Sequence, residues 1–266
     1  MTTAQHKLPL TEIFPEPPDD IDLALFDPAA LPEHLAVIMD GNGRWAEQRH
    51  LGRVKGHNAG IQAVRELIRS SNDLGIRYLT IYSFSTENWS RPAAEVQALM
   101  RLFARTLAAE LEPMAAEDVR IRVLGDLRPL PRATRQTFER AVQRTASNQG
   151  MNLVIAVNYG SRLEIVQAAQ RLAQAALAGE WDPNAADAAT AGMARFAEAL
   201  NTADLPDPDL LIRTSGEYRL SNFLLYQMAY SELYFTPTLW PDFDRYELLR
   251  ALIAFQHRRR RFGGVS

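Results

Sequence analysis

Two kinds of apolar run alternate along this chain. Short, nearly unbroken stretches rich in β-branched residues, Leu35 to Met39, Tyr78 to Phe84, Val119 to Leu124, Leu153 to Val157 and Leu210 to Ile212, have the length and composition of strands buried on both faces. Between them, apolar residues recur every three or four positions, which predicts helices over Asn58 to Leu74, Pro92 to Glu112, Pro131 to Gln149, Arg162 to Ala178 and Phe243 to Arg259, with a shorter piece from Gly192 to Leu200. Strands alternating with helices predict an α/β fold with a mostly parallel central sheet flanked by helices. No repeat or interdomain linker interrupts the pattern, so residues 31–266 read as one domain. Residues 1–30 hold Pro9, Pro15, Pro17, Pro18 and Pro28 with several acids, and predict a loose, flexible arm.

Composition narrows the function classes. With 47% hydrophobic residues in 266, the chain can bury a substantial core, and a net charge of −3 argues against broad nucleic-acid binding. The absence of cysteine excludes disulfides, thiolate metal sites and a cysteine nucleophile. No basic segment precedes an apolar core at the N-terminus and no 18-residue apolar stretch occurs, so the expectation is a cytoplasmic protein that touches membranes only at a surface. Only Lys7 and Lys55 of the 29 basic residues are lysine. Arginine suits phosphate through its bidentate fork, but codon usage in a GC-rich genome gives the same enrichment, so only arginines inside motifs are informative.

Ligands of open parallel sheets sit at the carboxyl ends of strands, and Asp40, Ser85 to Arg91, Asn158 and Arg213 all fall there. Asp40 opens the stretch DGNGRW, which packs a carboxylate, two glycines, an amide and a guanidinium together. The glycines let backbone approach a ligand, N–H groups after a strand face an anion, Arg44 offers a planar fork and Asp40 suits a hard cation. The combination predicts a metal-bound phosphate. Aspartate-loop phosphatases place a nucleophilic Asp two residues before such an Asp-Gly pair. Here that position is Ile38, so no carboxylate can form the covalent phospho-intermediate, and Asp40 reads as a metal ligand or general base.

Two further segments carry chemistry. In FSTENWSRP, Phe84 to Pro92, a helix N-cap with Trp89 as packing anchor accounts for Ser90 and Pro92, but leaves Ser85, Asn88 and Arg91 gathered at the ligand edge. In IRTSGEYRLSNFLLYQMAYSELYF, Arg213, Arg219 and Ser221 surround a glycine turn and could form a second diphosphate cradle. The helix from Pro92 carries Val96, Leu99, Met100, Phe103, Leu107 and Leu111 on one face about 30 Å long, which by periodicity alone is an ordinary core stripe. The tail HRRRRFGG reads by itself as a solvated charge run. His6, His34, His50 and His257 lack metal-ligand spacing.

The segment HLAVIMDGNGRWAEQRHLGRVKGHNAG closely resembles the opening signature of the cis-prenyltransferases, the family that contains bacterial undecaprenyl diphosphate synthase. With the two later motifs in the same order, the resemblance runs from about His34 to Gly264. It implies that Asp40 binds Mg²⁺ on an allylic diphosphate, which Gly41, Asn42, Gly43, Arg44, Trp45, Arg53 and His57 also hold. FSTENWSRP then corresponds to a mobile loop in which Asn88 serves proton removal, as a relay because an amide is a poor base. Ser85, Thr86, Glu87, Trp89 and Arg91 lie beside the allylic substrate. Arg213, Arg219, Leu220 and Ser221 match the isopentenyl diphosphate site, and Glu232 matches an acid of the metal region. Arg261, Phe262 and Gly263 match an Arg-x-Gly element that reaches across a homodimer interface. The helices from Asn58 and Pro92 would wall a hydrophobic tunnel with Ser83 and Met151 near its floor. Ser215 stands where many members have Gly, and Tyr218 where His or another polar residue is common; neither departure removes an expected phosphate contact.

The implied activity is Mg²⁺-dependent, repeated Z-condensation of isopentenyl diphosphate with an allylic diphosphate such as farnesyl diphosphate. The small Ser83 points to a long product of the undecaprenyl type used as a cell-wall lipid carrier, made by a homodimer with peripheral membrane contact for product release. Two rivals are a phosphate-ester hydrolase, against which Ile38 speaks, and a non-catalytic subunit of a heteromeric prenyltransferase. The intact Asp40 loop, Ser85, Asn88 and second arginine pair favour an autonomous enzyme.

Overall fold

A computed structural model describes residues 8–184 and 188–258. Strands β1 (His34–Ile38), β2 (Tyr78–Ser85), β3 (Arg120–Leu124), β4 (Asn152–Tyr159), β5 (Leu210–Arg213) and β6 (Glu232–Phe235) form one sheet in the order β3-β4-β2-β1-β5-β6, with every neighbouring pair parallel. The helices are α1 (Leu10–Ile13), α2 (Asn42–Gln48), α3 (Arg53–Leu74), α4 (Ala93–Ala116), α5 (Arg132–Arg144), α6 (Ser161–Leu177), α7 (Ala188–Ala199) and α8 (Arg245–Gln256). Among the described residues no helix is long and apolar enough to cross a membrane.

The unbroken apolar runs follow from burial on both faces. Leu35, Val37, Leu153, Ile155, Leu210 and Ile212 enter a large core with residues of α3, α4, α5 and α8. The alternate residues Ala36, Ile38, Val154, Ala156 and Leu211 enter a smaller core with Phe223, Leu224 and Met228. A fully buried leucine such as Leu35 contributes about 1.5–3 kcal/mol relative to exposure. The chain leaves β1 for β2 on one side, and β5 returns on the other. The resulting crevice lies outside the carboxyl ends of β1, β2 and β5, where such sheets hold ligands.

Several local features depart from the sequence reading. Helix α2 and strand β6 were not anticipated, and α3 begins five residues early, at Arg53. Helix α5 stops at Arg144 because the Thr145 hydroxyl donates to Ala141 O and accepts the Ile121 N–H, turning the chain toward β3. The stretch expected to be a loose arm is anchored over its described part: Ile13, Phe14, Ile21 and Phe26 are buried in the large core. Arg245 donates to Ile13 O at 2.9 Å, and Arg250 pairs with Asp20 at 2.9 Å. The prolines keep regular structure there to short turns of helix without preventing packing.

Candidate active site

Asp40 lies two residues past the end of β1, and the chain turns at Gly41, whose φ of 109° suits glycine. A Cβ at that position would come within 3.0 Å of both Leu239 and Ser215. Both carboxylate oxygens of Asp40 are engaged. Oδ1 accepts the Gly41 N–H at 2.7 Å and Oδ2 accepts Arg213 Nη2 at 2.9 Å. Thr214 holds the main chain of Asp40, accepting from its N–H at 2.9 Å and donating to its carbonyl at 2.6 Å. Burial alone would raise the Asp40 carboxyl, but the hydrogen bond and charge of Arg213, the Gly41 N–H and the nearby Arg44 outweigh it and hold the group below its ordinary value. Asp40 is therefore an anion at neutral pH.

Arg213 ends β5 and is 3% exposed. Its Nη1 donates to Ser221 Oγ at 2.8 Å and to the carbonyl of Arg219, while Nε is buried with no hydrogen-bond partner. The 215–224 segment that supplies these contacts holds Ser215, Ser221, Asn222 and Leu224 at φ 76°, 48°, 64° and 45°, a cluster of left-handed non-glycine residues. Ser215 offers Arg44 two acceptors, its carbonyl at 2.9 Å and its hydroxyl at 2.5 Å. Glu217 pairs with Arg44 at 3.2 Å and also with Arg219.

On the β2 side, Ser85 and Asn88 form a reciprocal capping box, with Asn88 Oδ1 accepting the Ser85 N–H at 3.1 Å. Trp89 Nε1 donates to Asn158 Oδ1 at 2.8 Å. Arg91 donates to Glu95 at 3.1 Å, and His57 Nε2 lies 3.8 Å from the same carboxylate oxygen. Burial and the charge of Arg91 push the His57 imidazole below its usual value despite Glu95, so it is neutral at pH 7.

These groups converge on a cavity of about 440 Å³ between α3, α4 and the sheet. Of the positions singled out in the sequence, Asp40, Gly41, Asn42, Gly43, Arg44, Arg53, His57, Ser83, Ser85, Asn88, Arg91, Arg213 and Ser221 line it. Trp45, Thr86, Glu87, Trp89, Arg219, Leu220 and Met151 do not. Trp45 instead donates to Asp242 at 2.7 Å with Arg49 stacked on its ring, and Met151 is packed in the core. Beyond the charged mouth the middle of the cavity is walled by apolar residues, Ile61, Val64 and Ile68 from α3 and Leu102, Phe103 and Leu107 from α4.

Glu232 is not brought to Asp40. It pairs with Leu210 at the start of β5, three residues before Arg213, and its carboxylate ion-pairs with Arg258 at 2.8 Å. Among the described residues no group of three or more His, Cys, Asp or Glu is assembled for a metal. The tail positions Arg261, Phe262 and Gly263 lie outside the described residues. Sequence reasoning missed Glu95, Thr214, Glu217 and Trp240. Glu95 sits four residues after Arg91 on a helix start, a spacing that signals a side-chain pair. Thr214, Glu217 and Trp240 act through the main chain or through Arg44, and nothing local marks them.

Comparison with known proteins points to one family. Residues 38–263 match a family profile described as "Putative undecaprenyl diphosphate synthase". The chain is 53% identical over 243 residues to an isoprenyl transferase of Prochlorococcus marinus, covering 91% of this chain and 90% of that protein. It is 49% identical over 235 residues to the isoprenyl transferase of Bacillus subtilis, covering 88% of each. Among solved structures, lavandulyl diphosphate synthase from Lavandula x intermedia, in complex with dimethylallyl diphosphate, superposes with a TM-score of 0.84 at 36% identity, over 88% of this chain and 99% of that one. A probable undecaprenyl diphosphate synthase from Campylobacter jejuni gives 0.70 at 32% identity, again over 88% and 99%.

Proposed function

This chain belongs to the undecaprenyl diphosphate synthase family of isoprenyl transferases, and from that premise we propose that it condenses isopentenyl diphosphate repeatedly with an allylic diphosphate to build a long Z-polyprenyl diphosphate. The observation that carries this reading is the 2.9 Å contact between Asp40 and Arg213 at the head of a cavity whose middle is walled by apolar side chains. A carboxylate that can hold a cation and a guanidinium that can hold an anion meet there from adjacent strands, as a diphosphate site with its counter-ion requires. An allylic diphosphate is bound by the lavender relative, and farnesyl diphosphate is the primer proposed here.

Arg44, Arg53 and His57 hold the allylic diphosphate, with the Gly41 to Gly43 backbone against it. Arg213, Arg219 and Ser221 hold isopentenyl diphosphate with its alkene toward the allylic carbon. Arginine forks on both diphosphates stabilise charge that gathers on the departing group as the allylic C–O bond breaks. Holding both reactants in one crevice supplies much of the acceleration. Ser85 and Asn88, locked to each other, stand beside the condensing carbons, where Asn88 relays the proton lost from isopentenyl C2 to a diphosphate oxygen.

The residues fit Mg²⁺. Asp40 is a single ionised carboxylate, and Mg²⁺ is commonly held by one or two carboxylates, substrate phosphates and water. Bound there, the ion would neutralise diphosphate charge. Within the described chain Glu232 stands against Leu210 and pairs with Arg258, apart from Asp40. We further propose a cytoplasmic homodimer in which Arg261 and Gly263 complete the partner's isopentenyl site, with release of the long lipid at a membrane surface.

Incubation with farnesyl diphosphate, labelled isopentenyl diphosphate and Mg²⁺, with a chelator control, tests the proposal. Labelled long-chain lipid made only with the metal is expected. Release of inorganic phosphate without incorporation would favour a hydrolase, and an inert chain would favour a non-catalytic subunit.

A further inference from the structure

The cavity has a second polar end. Its lining runs from the Asp40 mouth through the apolar middle and includes, further along, Arg65 and Arg69 on α3, Glu110 on α4 and Glu117 at the end of α4. Arg65 Nη2 stands 2.6 Å from Glu110 Oε1, and Arg65 Nε donates to the same oxygen at 2.8 Å, so the pair ties the two walls together. Other polar ties lie along this seam, beginning at the mouth with His57 Nε2 at 3.8 Å from Glu95. Arg105 donates to Asn58 Oδ1 at 3.1 Å, and Asn72 Nδ2 donates to the carbonyl of Glu117 at 3.3 Å. Asn58, Arg65 and Asn72 recur every seven residues and so share one stripe of α3. Beyond the His57–Glu95 pair at the mouth, Arg65–Glu110 is the one of these ties in which both partners line the cavity.

We propose that the Arg65–Glu110 ion pair is a length-determining checkpoint for the hydrocarbon, a role that rests on the prenyl-transfer reading above. A growing apolar chain gains as it slides past Ile61, Val64 and Phe103. Against Arg65 and Glu110, whose side chains are 39% and 20% exposed, it meets hydrated charges and strips their water without offering a hydrogen bond in return. Arg65 lies eight residues beyond His57 on α3, about 12 Å further along the axis, so the obstacle is met after the reacting end is fully seated. Because the pair is partly exposed, parting it costs little. The pair therefore delays elongation at one chain length without blocking it.

The test compares wild type with Arg65→Ala, Glu110→Ala, the double alanine variant and the charge swap Arg65→Glu/Glu110→Arg. Each is assayed with farnesyl diphosphate, labelled isopentenyl diphosphate and Mg²⁺, scoring intermediate and final lengths per initiated chain, and melting curves confirm folding. Arg65→Ala, which leaves Glu110 unpaired at the cavity, should raise the intermediate about threefold, the double alanine should lower it by a similar factor and lengthen the mean product, and the swap should restore the wild-type pattern. Identical length distributions in all variants, or a swap that behaves like Arg65→Ala, would overturn the checkpoint while leaving prenyl transfer intact. A wild-type chain that incorporates no label would overturn both.

Discussion

Replacing Asp40 with Asn and Arg213 with Met, singly and together, probes the contact on which the site is built. Asp40 uses one oxygen for the Gly41 N–H and the other for Arg213. An amide has one oxygen, so in Asp40→Asn an N–H₂ must face a donor, and a charge-assisted bond worth about 1.5–3 kcal/mol is lost. Arg213, with a side chain 4% exposed, also keeps its charge without a counter-ion. Breaking a buried pair costs about 3–5 kcal/mol. Here Asp40 is 34% exposed and Arg44 lies 3.8 Å from it, so solvent and a second charge reduce the loss to about 2–3 kcal/mol. Arg213→Met should cost about 2 kcal/mol, and the double variant about 1–2 kcal/mol less than the sum. Urea unfolding at pH 7 measures all four corners of the cycle. The acid limb adds a sign check: a carboxyl held below its unfolded value stabilises above about pH 4, and that contribution disappears as pH falls through the folded value. Wild type and Asp40→Asn should therefore converge in acid. Turnover of Asp40→Asn should fall at least about a hundredfold. Arg213→Met should raise KM for isopentenyl diphosphate more than for the allylic substrate. Additive unfolding energies, or equal loss of both affinities, would refute the coupled two-cradle geometry.

Other perturbations follow from single contacts. Gly56→Ala places a Cβ 1.9 Å from the Asn42 carbonyl oxygen, which is backbone and cannot rotate away, so urea unfolding should show a loss of at least about 1–3 kcal/mol, and wild-type stability would refute the packing of α3 on α2. His34 donates from Nδ1 to Pro206 O and accepts from the Thr80 hydroxyl at Nε2, each at 2.7 Å, and burial lowers its pKa from 6.5 to about 4. The unfolded chain thus binds a proton first as pH falls, and between pH 6.5 and 5 wild type should lose about 2 kcal/mol that His34→Gln does not; equal slopes would refute it. Ser83→Leu, which fills part of the cavity wall, should shorten the product on chromatography, and an unchanged length would remove Ser83 from length control.

How much of this was legible in the sequence depended on whether the signal was local. The inner strands were readable because residues such as Leu35, Val37 and Ile212 are buried on both faces and leave unbroken apolar runs. Helix α2 was hidden by its glycines. Gly43 weakens helix propensity, and Gly56 and Gly60 on α3 are small because Asn42 and Trp240 press against them, a requirement set by tertiary contact. Strand β6 is four residues long, only partly buried, and lies at the sheet edge, so it carries no alternation to read. Ile13 ends a four-residue helix, and Phe14, Ile21 and Phe26 pack outside helices and strands, so none of them shows a period. For the site, the motif residues that line the cavity sit at strand ends or on the first turns of helices. Trp45 and Glu232 belong to motifs but point elsewhere, because a motif fixes a residue's place in the chain and the register of its element fixes its direction.

The same logic explains how a costly turn persists beside Arg213. Left-handed backbone at Ser221, Asn222 and Leu224 costs on the order of 1–3 kcal/mol per residue. What opposes that cost lies beneath the site. Phe223 is fully buried and stacked on Tyr82 at 4.3 Å, and Leu224 is 1% exposed in the smaller core. Burying those two side chains contributes about 3–6 kcal/mol, enough to offset much of the strain. The core therefore holds Ser221 Oγ and the Arg219 carbonyl against Arg213, and Arg213 in turn presents its guanidinium to Asp40. The apolar face of the sheet and the charged crevice at its rim are thus one mechanical unit, in which hydrophobic burial maintains the geometry that the proposed chemistry needs.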